Sequence, residues 1–255
     1  MSNLTESLKY LVLLFQIRKK RMRYIKSVIE YRLSKHPRPI TFPEMLVHLY
    51  DIKMVTRKNT QDSAFLSILY ERELTHYLLN KKPNFFVDVG SHIGRFSILL
   101  AKKGSEVLAI EPSSSNYNQL TKNILLNNLK NIKTLNVGCS NQEEIGNLKI
   151  SGGYTGQNTF LGRGKYVEKI ELKKLDTIIK KKMDKEDIIK IDVEGFEMNV
   201  LKGMRKILKS QNPILVLEVS SKKDEGIIKN FLNRYNYFNT KVLDIRNFVF
   251  EKRIR

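Results

Sequence analysis

Between Phe85 and Val219, short apolar runs that read as strands alternate with runs of helical periodicity, and this alternation restricts the chain to a narrow set of architectures. The strand-like runs are Phe85 to Val89, Val107 to Ile110, Ile132 to Val137, Ile188 to Val193 and Ile214 to Val219. Helical patterns separate them at Phe96 to Lys102, Tyr117 to Asn127 and around Asn199 to Leu208. Parallel neighbours need crossover connections, which helices supply, so the pattern predicts a doubly wound, mostly parallel α/β sheet. After a helix from Glu225 to Asn233, the runs Phe238 to Leu243 and Phe248 to Phe250 read as a closing antiparallel pair.

A length of 255 residues suits one core with an appendage, and contents of 41% hydrophobic and 28% charged residues exclude disordered and fibrous classes. We read residues 1–60 as a basic helical N-terminal extension and residues 61–255 as the main domain. In the extension, Leu4, Leu8, Leu11, Phe15, Met22, Ile25, Ile29 and Leu33 trace one apolar stripe at helical spacing. Arg18, Lys19, Lys20, Arg21 and Arg23 cluster beside it. Such a segment suits an anionic membrane surface, or packs on the core or on a second subunit in a homodimer. His36-Pro37-Arg38-Pro39 ends it, because proline removes an amide donor and disfavours helix before it. A helical stripe returns at Phe65, Leu66, Leu69, Leu74 and Leu78.

The formal net charge of +20 favours anionic partners but says nothing about fold. A single cysteine, Cys139, excludes an internal disulfide and a Cys-rich zinc site. The longest apolar stretch, Tyr10 to Phe15, is far below the ~20 residues of a spanning helix, and no export signal is legible. These features predict a cytoplasmic protein, held at the inner face of the membrane if the basic helix meets lipid.

Three motifs carry chemistry. FVDVGSHIG, Phe86 to Gly94, places two glycines and a helix start directly after an apolar strand, an arrangement that turns backbone amides toward an anionic ligand group. Its spacing is neither the Gly-x-Gly-x-x-Gly of dinucleotide enzymes nor a phosphate-binding P-loop. Glu111 ends the next strand, where an acid can accept both hydroxyls of a ribose, and Pro112 stops that strand. Loop and acid together predict a nucleoside-containing cofactor. The third motif, IIKIDVEGFE, ends a buried strand with Asp192, Glu194 and Glu197; Glu197 reads as a cap for the helix that follows. The glycine-rich stretch from Gly146 to Lys165 reads as a mobile loop beside the site.

The order FVDVGSHIG, AIEP, LDTII, KIDVEGFEMNVLKG, ILVLEVS resembles the FkbM family of S-adenosylmethionine-dependent methyltransferases, over about Tyr70 to Val219 and including the Tyr70-Glu71 step. The resemblance implies a Rossmann-like, seven-stranded class I methyltransferase fold and S-adenosyl-L-methionine as cofactor. It implies that Asp88, Gly90, Ser91, His92 and Gly94 hold the methionine part, Glu111 and Pro112 the ribose, and Val137, Gly138, Cys139 and Ser140 the adenine. The family shows Asn where this chain has His92. Its members methylate hydroxyl groups on sugars, lipids or natural products, so the expected partner is a small-molecule, glycan or lipid acceptor.

For in-line methyl transfer, we assign Asp192 as the base or acceptor-orienting group, also touching the cofactor, with Glu194 and Glu218 behind it. The three are oxygen donors that could take a divalent cation, but no ligand spacing demands one and none is assigned. Tyr154, Gln157, Asn158 and Thr159 are assigned to acceptor binding. Two other functions fit the charge: RNA methylation, against which no Asn-Pro-Pro-Tyr-like motif appears, and an inactive fold serving as a membrane-surface or protein-binding module.

Overall fold

A computed structural model describes residues 12–17, 22, 24–28 and 42–253. A hairpin of β1 (Leu46–Leu49) and β2 (Ile52–Val55) precedes two helices, α1 (Asp62–Phe65) and α2 (Arg72–Lys81). The alternating region follows as β3 (Phe85–Val89), α3 (Arg95–Lys102), β4 (Glu106–Ile110), α4 (Ser114–Leu126) and β5 (Ile132–Leu135). An inserted three-stranded sheet of β6 (Gly138–Cys139), β7 (Glu144–Ile150) and β8 (Tyr166–Lys173) leads to α5 (Leu175–Ile178). The chain then returns through β9 (Ile188–Ile191), α6 (Glu197–Lys202), α7 (Arg205–Ser210), β10 (Ile214–Glu218), α8 (Lys222–Asn233), β11 (Tyr237–Leu243) and β12 (Asn247–Lys252).

The main sheet has seven strands in the order β11-β12-β10-β9-β3-β4-β5. β3, β4, β5, β9 and β10 pair in parallel, and β12 runs antiparallel to both its neighbours. This is the expected doubly wound, mostly parallel sheet of seven strands with its antiparallel closing pair. Side chains alternate between two cores: Phe86, Val107, Ile188 and Val216 join α3 and α4 on one face, while Val87, Leu108, Ile189 and Leu215 meet α6, α7 and α8 on the other. Burial on both faces is why these strands read as near-continuous apolar runs.

Three expectations are corrected. The extension read as helical to residue 60 contains the β1–β2 hairpin, whose Val47, Leu49, Ile52 and Met54 are fully buried in the core cluster of α3 and α4. The stripe's Phe15 and Met22 are 87% and 76% exposed, whereas Leu13, Ile17 and Tyr24 are fully buried. Ile17 is held there by a bridge to Val47, a tertiary contact that helical periodicity cannot register. Leu4, Leu8, Leu11, Ile29, Leu33, the basic residues Arg18 to Arg21 and Arg23, and the Pro37-Pro39 break lie outside the described residues. The glycine-rich loop begins only after Ile150, because Gly146 lies inside β7, where a Cβ would stand 2.7 Å from the Leu172 side chain. Among the described residues no helix is long and apolar enough to cross a membrane.

Two glycines in these helical regions give opposite predictions. A Cβ on Gly203, between α6 and α7, would lie 2.0 Å from the Ser140 carbonyl oxygen, so Gly203→Ala should cost about 1–3 kcal/mol. Gly226 sits exposed within α8 with nothing near its missing Cβ, so Gly226→Ala should stabilise by about 0.5–1 kcal/mol. Thermal melting should move down for the first and up for the second.

Candidate active site

The carboxyl ends of β3, β4, β9 and β10 open into a cleft of about 400 Å³, the position where open α/β sheets bind ligands. One end is walled by the β3–α3 loop and Glu111, with Val137, Cys139, Leu148 and Phe160 as an apolar side. The other end is lined by Glu71, Lys190, Asp192, Glu194 and Glu218.

The β3–α3 loop turns sharply because Gly90 and Gly94 take φ of +84° and +93°. The amides of Gly90 and Ser91 both donate to the Ile110 carbonyl, at 2.9 and 3.0 Å. A Cβ on Gly90 would sit 1.8 Å from the Asp192 carbonyl oxygen, so it is the protein's own backbone, at the next loop along the sheet edge, that excludes a side chain there. Gly94 is excluded from a larger side chain by Leu120 and Ile98, and it does not line the cleft.

Glu111 is buried and already bonded: Oε2 accepts from the His92 amide at 2.9 Å, and Oε1 from the Ser113 amide and Asn116 Nδ2 at 3.0 and 3.1 Å. Burial outweighs these bonds and raises its pKa to about 7. Each carboxylate oxygen has two acceptor sites, so capacity remains. In the same cleft, Asp88 Oδ1, Ser91 Oγ and Asn116 Oδ1 are buried without a partner among the described residues. Buried polar atoms are normally satisfied, so a group of unpaired ones lining one cleft marks where a polar ligand belongs.

The acidic end is organised by Lys190. Its position follows from two periodicities: Lys190 and Asp192 are two apart and share a face, and the register of β3 with β9 sets Asp88 opposite Lys190. The ammonium lies 2.8 Å from Asp192 Oδ2 and 5.3 Å from the centroid of the Phe96 ring, with its side chain 3% exposed. Burial works against its charge, but Asp192, Asp88 and Glu71 outweigh that and hold its pKa above the ordinary lysine value. For Asp192, burial is likewise outweighed, by Lys190 and by a hydrogen bond with Glu218, so it stays ionised. The Asp192 charge, then burial, push Glu218 far up, so Glu218 carries the proton between them. Glu194 is at the exposed rim, but its carboxyl turns toward Asp192 and Glu218. That partial desolvation, with Asp192 and Glu197 nearby, lifts Glu194 to about 7. Glu197 accepts from the Gly195 and Val193 amides at 3.0 and 3.3 Å, so it braces the loop before α6 and does not cap that helix as expected.

His92 feels the charges of Asp192 and Lys190 but hydrogen-bonds to a different network. Its Nε2 is 2.9 Å from Thr155 Oγ1, which donates at 3.0 Å to Asp62 Oδ1, and Arg57 holds Asp62 with two further bonds of 2.7 and 2.8 Å. Burial lowers the His92 pKa to about 4, so the imidazole is neutral. This network, with Asn116 Nδ2 donating to the Thr155 carbonyl, fastens the glycine-rich loop to the cleft. The loop expected to be mobile is thus pinned at its centre.

Of the residues assigned from sequence, Gln157 and Asn158 line the cleft. Tyr154 packs against the core, and Thr159 donates to the Glu194 carbonyl at 2.9 Å, so both shape the loop and leave the lining to their neighbours. Val137 and Cys139 face the cleft, whereas Gly138 and Ser140 serve the pairing of β6 with β8. Sequence reasoning missed Lys190, Arg95 and Asn116. A lysine inside the apolar run Ile188 to Ile191 was the available signal, because a charge in a doubly covered strand needs a partner. Arg95 is buried and binds the carbonyls of Phe65, Ser67 and Tyr70, shaping the cleft wall before α2.

Removing Lys190 leaves several buried carboxyls uncompensated, so Lys190→Met should destabilise by about 3–5 kcal/mol at neutral pH. The sign with pH follows from the carboxylates: Lys190 stays protonated throughout their titration, and the depressed Asp192 contributes its share only above its ordinary value of 3.8. The deficit in denaturant melts should therefore shrink as pH falls through the carboxylate range. A deficit independent of pH would contradict the assignment.

Comparison with known proteins places this arrangement. The Methyltransferase FkbM domain profile matches residues 88–251. Methyltransferase sdnD of Sordaria araneosa is 28% identical over 155 residues, covering 47% of this chain and 60% of that protein. Methyltransferase 1 of Beauveria bassiana is 23% identical over 145 residues, covering 48% and 58%. The chain thus matches only about three fifths of the length of these curated relatives. Among solved structures, methyltransferase FkbM from Methylobacillus flagellatus superposes with a TM-score of 0.46 at 20% identity, covering 67% of this chain and 43% of that one. With a domain match that spans well over half of its residues and carries the β3–α3 loop, Glu111 and the Asp192 segment, the chain belongs to the FkbM methyltransferase family.

Proposed function

We propose that the protein transfers a methyl group from S-adenosyl-L-methionine to a hydroxyl of a small molecule, glycan or lipid in the cytoplasm. The observation that carries this reading is the division of one cleft into a half with unpaired polar atoms around Glu111 and a half with an ionised Asp192. When bound, the cofactor supplies an electrophilic methyl group on a sulfonium centre. Glu111 would take a ribose hydroxyl on the acceptor site that Oε2 has left, Asp88, Ser91 and Asn116 would satisfy other polar groups of the cofactor, and Val137, Cys139 and Phe160 would flank the adenine. Burial keeps the Cys139 thiol protonated, so it acts as apolar wall.

Asp192, held ionised by Lys190, orients the acceptor hydroxyl and takes its proton as the oxygen attacks in line. Glu218 keeps its own proton and steadies Asp192, while Glu194, near pKa 7 at the rim, returns a proton to solvent. Alignment alone can supply ~7–11 kcal/mol, so a modest base suffices. The ammonium that lines the acceptor end, Lys190, is buried against Asp192 and so is not offered to phosphates, which favours a neutral hydroxyl acceptor over RNA.

Calorimetry with S-adenosylhomocysteine tests the reading directly, and absence of binding would sink it. Asp192→Asn should keep that binding while turnover falls by about 10²–10⁴. A ribose hydroxyl donates to ionised Glu111, so binding should favour the deprotonated form. Affinity should therefore fall as pH drops through about 7, by at most roughly tenfold per pH unit, and Glu111→Gln should flatten that dependence.

A further inference from the structure

His92 is held by a chain of side chains that begins ahead of the residues matched by the FkbM domain profile, at Arg57 and Asp62. Asp62 is fully buried. Its Oδ2 accepts from the Arg57 amide and Nε at 2.9 and 2.8 Å, and its Oδ1 from Arg57 Nη2 and Thr155 Oγ1 at 2.7 and 3.0 Å. Thr155 Oγ1 in turn lies 2.9 Å from His92 Nε2. The Phe65 ring meets the imidazole edge-on at 4.9 Å and fixes its plane. Because the His92 amide donates to Glu111 Oε2, this residue stands beside the acid assigned to the ribose.

Counting protons along this chain fixes the tautomer of the ring. Burial raises the Asp62 pKa less than the bonds and charge of Arg57 lower it, so the carboxylate is ionised and can only accept. The single hydroxyl proton of Thr155 is therefore committed to Asp62, and Thr155 Oγ1 faces His92 as an acceptor. Nε2 is then the protonated nitrogen of the neutral imidazole, which leaves Nδ1 with a lone pair. Nδ1 bonds to no described residue, while His92 lines the cleft with 19% of its side chain accessible. The arrangement presents a neutral acceptor to whatever occupies the cleft.

We propose that Asp62 and Thr155 are positioning residues that lock His92 with its proton on Nε2, so that Nδ1 accepts a hydrogen bond from the cofactor, given by a ribose hydroxyl or by the amino group of the methionine part. This inference rests on the S-adenosyl-L-methionine reading above. An imidazole free to carry its proton on either nitrogen meets such a donor with the wrong one part of the time. The relay removes that choice before the ligand arrives, and so lowers the cost of ordering the site on binding. Its middle member is itself held: the Gln61 amide donates to the Gly153 carbonyl at 2.9 Å, and Asn116 Nδ2 to the Thr155 carbonyl at 3.2 Å.

Nitrogen NMR of the imidazoles in the full chain tests this, with His92→Asn, which removes one of the four histidines, assigning the signal. The free protein at neutral pH should show a protonated Nε2 and a bare Nδ1, and S-adenosylhomocysteine should move Nδ1 toward a hydrogen-bonded acceptor. Methylthioadenosine, which keeps the ribose and lacks the amino acid, separates the two sources. A shift with both ligands assigns the hydroxyl, and a shift with S-adenosylhomocysteine alone assigns the amino group. Thr155→Val sets a methyl group where a protonated Nε2 needs an acceptor, so the proton should pass to Nδ1 and S-adenosylhomocysteine affinity should fall roughly two- to tenfold. Thr155→Ser keeps the hydroxyl and should restore both. A protonated Nδ1 in the free protein would overturn the proposal. So would calorimetric binding of S-adenosylhomocysteine that leaves Nδ1 unshifted, or a Thr155→Val variant with unchanged tautomer and affinity. Absence of any binding would instead overturn the methyltransferase reading and this inference together, which keeps the two failures distinct.

Discussion

A buried ammonium surrounded by carboxyls is the constraint on which the site depends. Without Lys190, the crowding of Asp88, Asp192, Glu71 and Glu218 at one sheet edge would force most of them to take up protons, because like charges in a poorly solvated site cannot all ionise. With it, one carboxylate is selected. Asp192 lies nearest the cation and keeps its charge, and Glu218, a strand further out, holds the proton that settles the remaining repulsion. The distribution of protons is thus written by strand register, since pairing β3 with β9 sets Asp88 against Lys190 and period two sets Asp192 beside it.

The charge of the chain is spatially sorted. Forty-six basic side chains produce a net charge of +20, yet the cleft gathers carboxyls. The positive field therefore belongs to the outside of the protein, where it acts on approach and adhesion, while the interior of the site is governed by short-range contacts that salt screens poorly. A molecule whose excess charge lies outside a site that balances its ammonium against a carboxylate can be drawn to an anionic surface and still prefer a neutral acceptor.

What the sequence made legible follows periodicity. The five parallel strands and their crossovers could be read because burial on both sheet faces leaves unbroken apolar runs, and the loop from Asp88 to Gly94 could be read because a strand, two glycines and a helix occur in direct succession. The hairpin at Leu46–Val55 was hidden: four-residue strands of mixed composition carry too little pattern, and Val47 and Ile17 find each other only in three dimensions. Lys190 was in plain view within a strand but passed over, since its meaning depends on which carboxyls the register brings alongside. The roles of Tyr154 and Thr159 were obscured for a similar reason, because polar residues in a glycine-rich loop look alike until their partners are known.

The close approach of Gly90 to the Asp192 carbonyl has a consequence for how such a chain can diverge. The two loops that would serve cofactor and acceptor are in mechanical contact through a space that only glycine leaves free. A descendant that lost every trace of methyl transfer would still be obliged to keep glycine at position 90 in order to close its sheet edge. Glycine at that position in a distant relative would therefore testify to folding, and the loss or retention of Glu111 and Asp192 would be the better record of whether the chemistry survives.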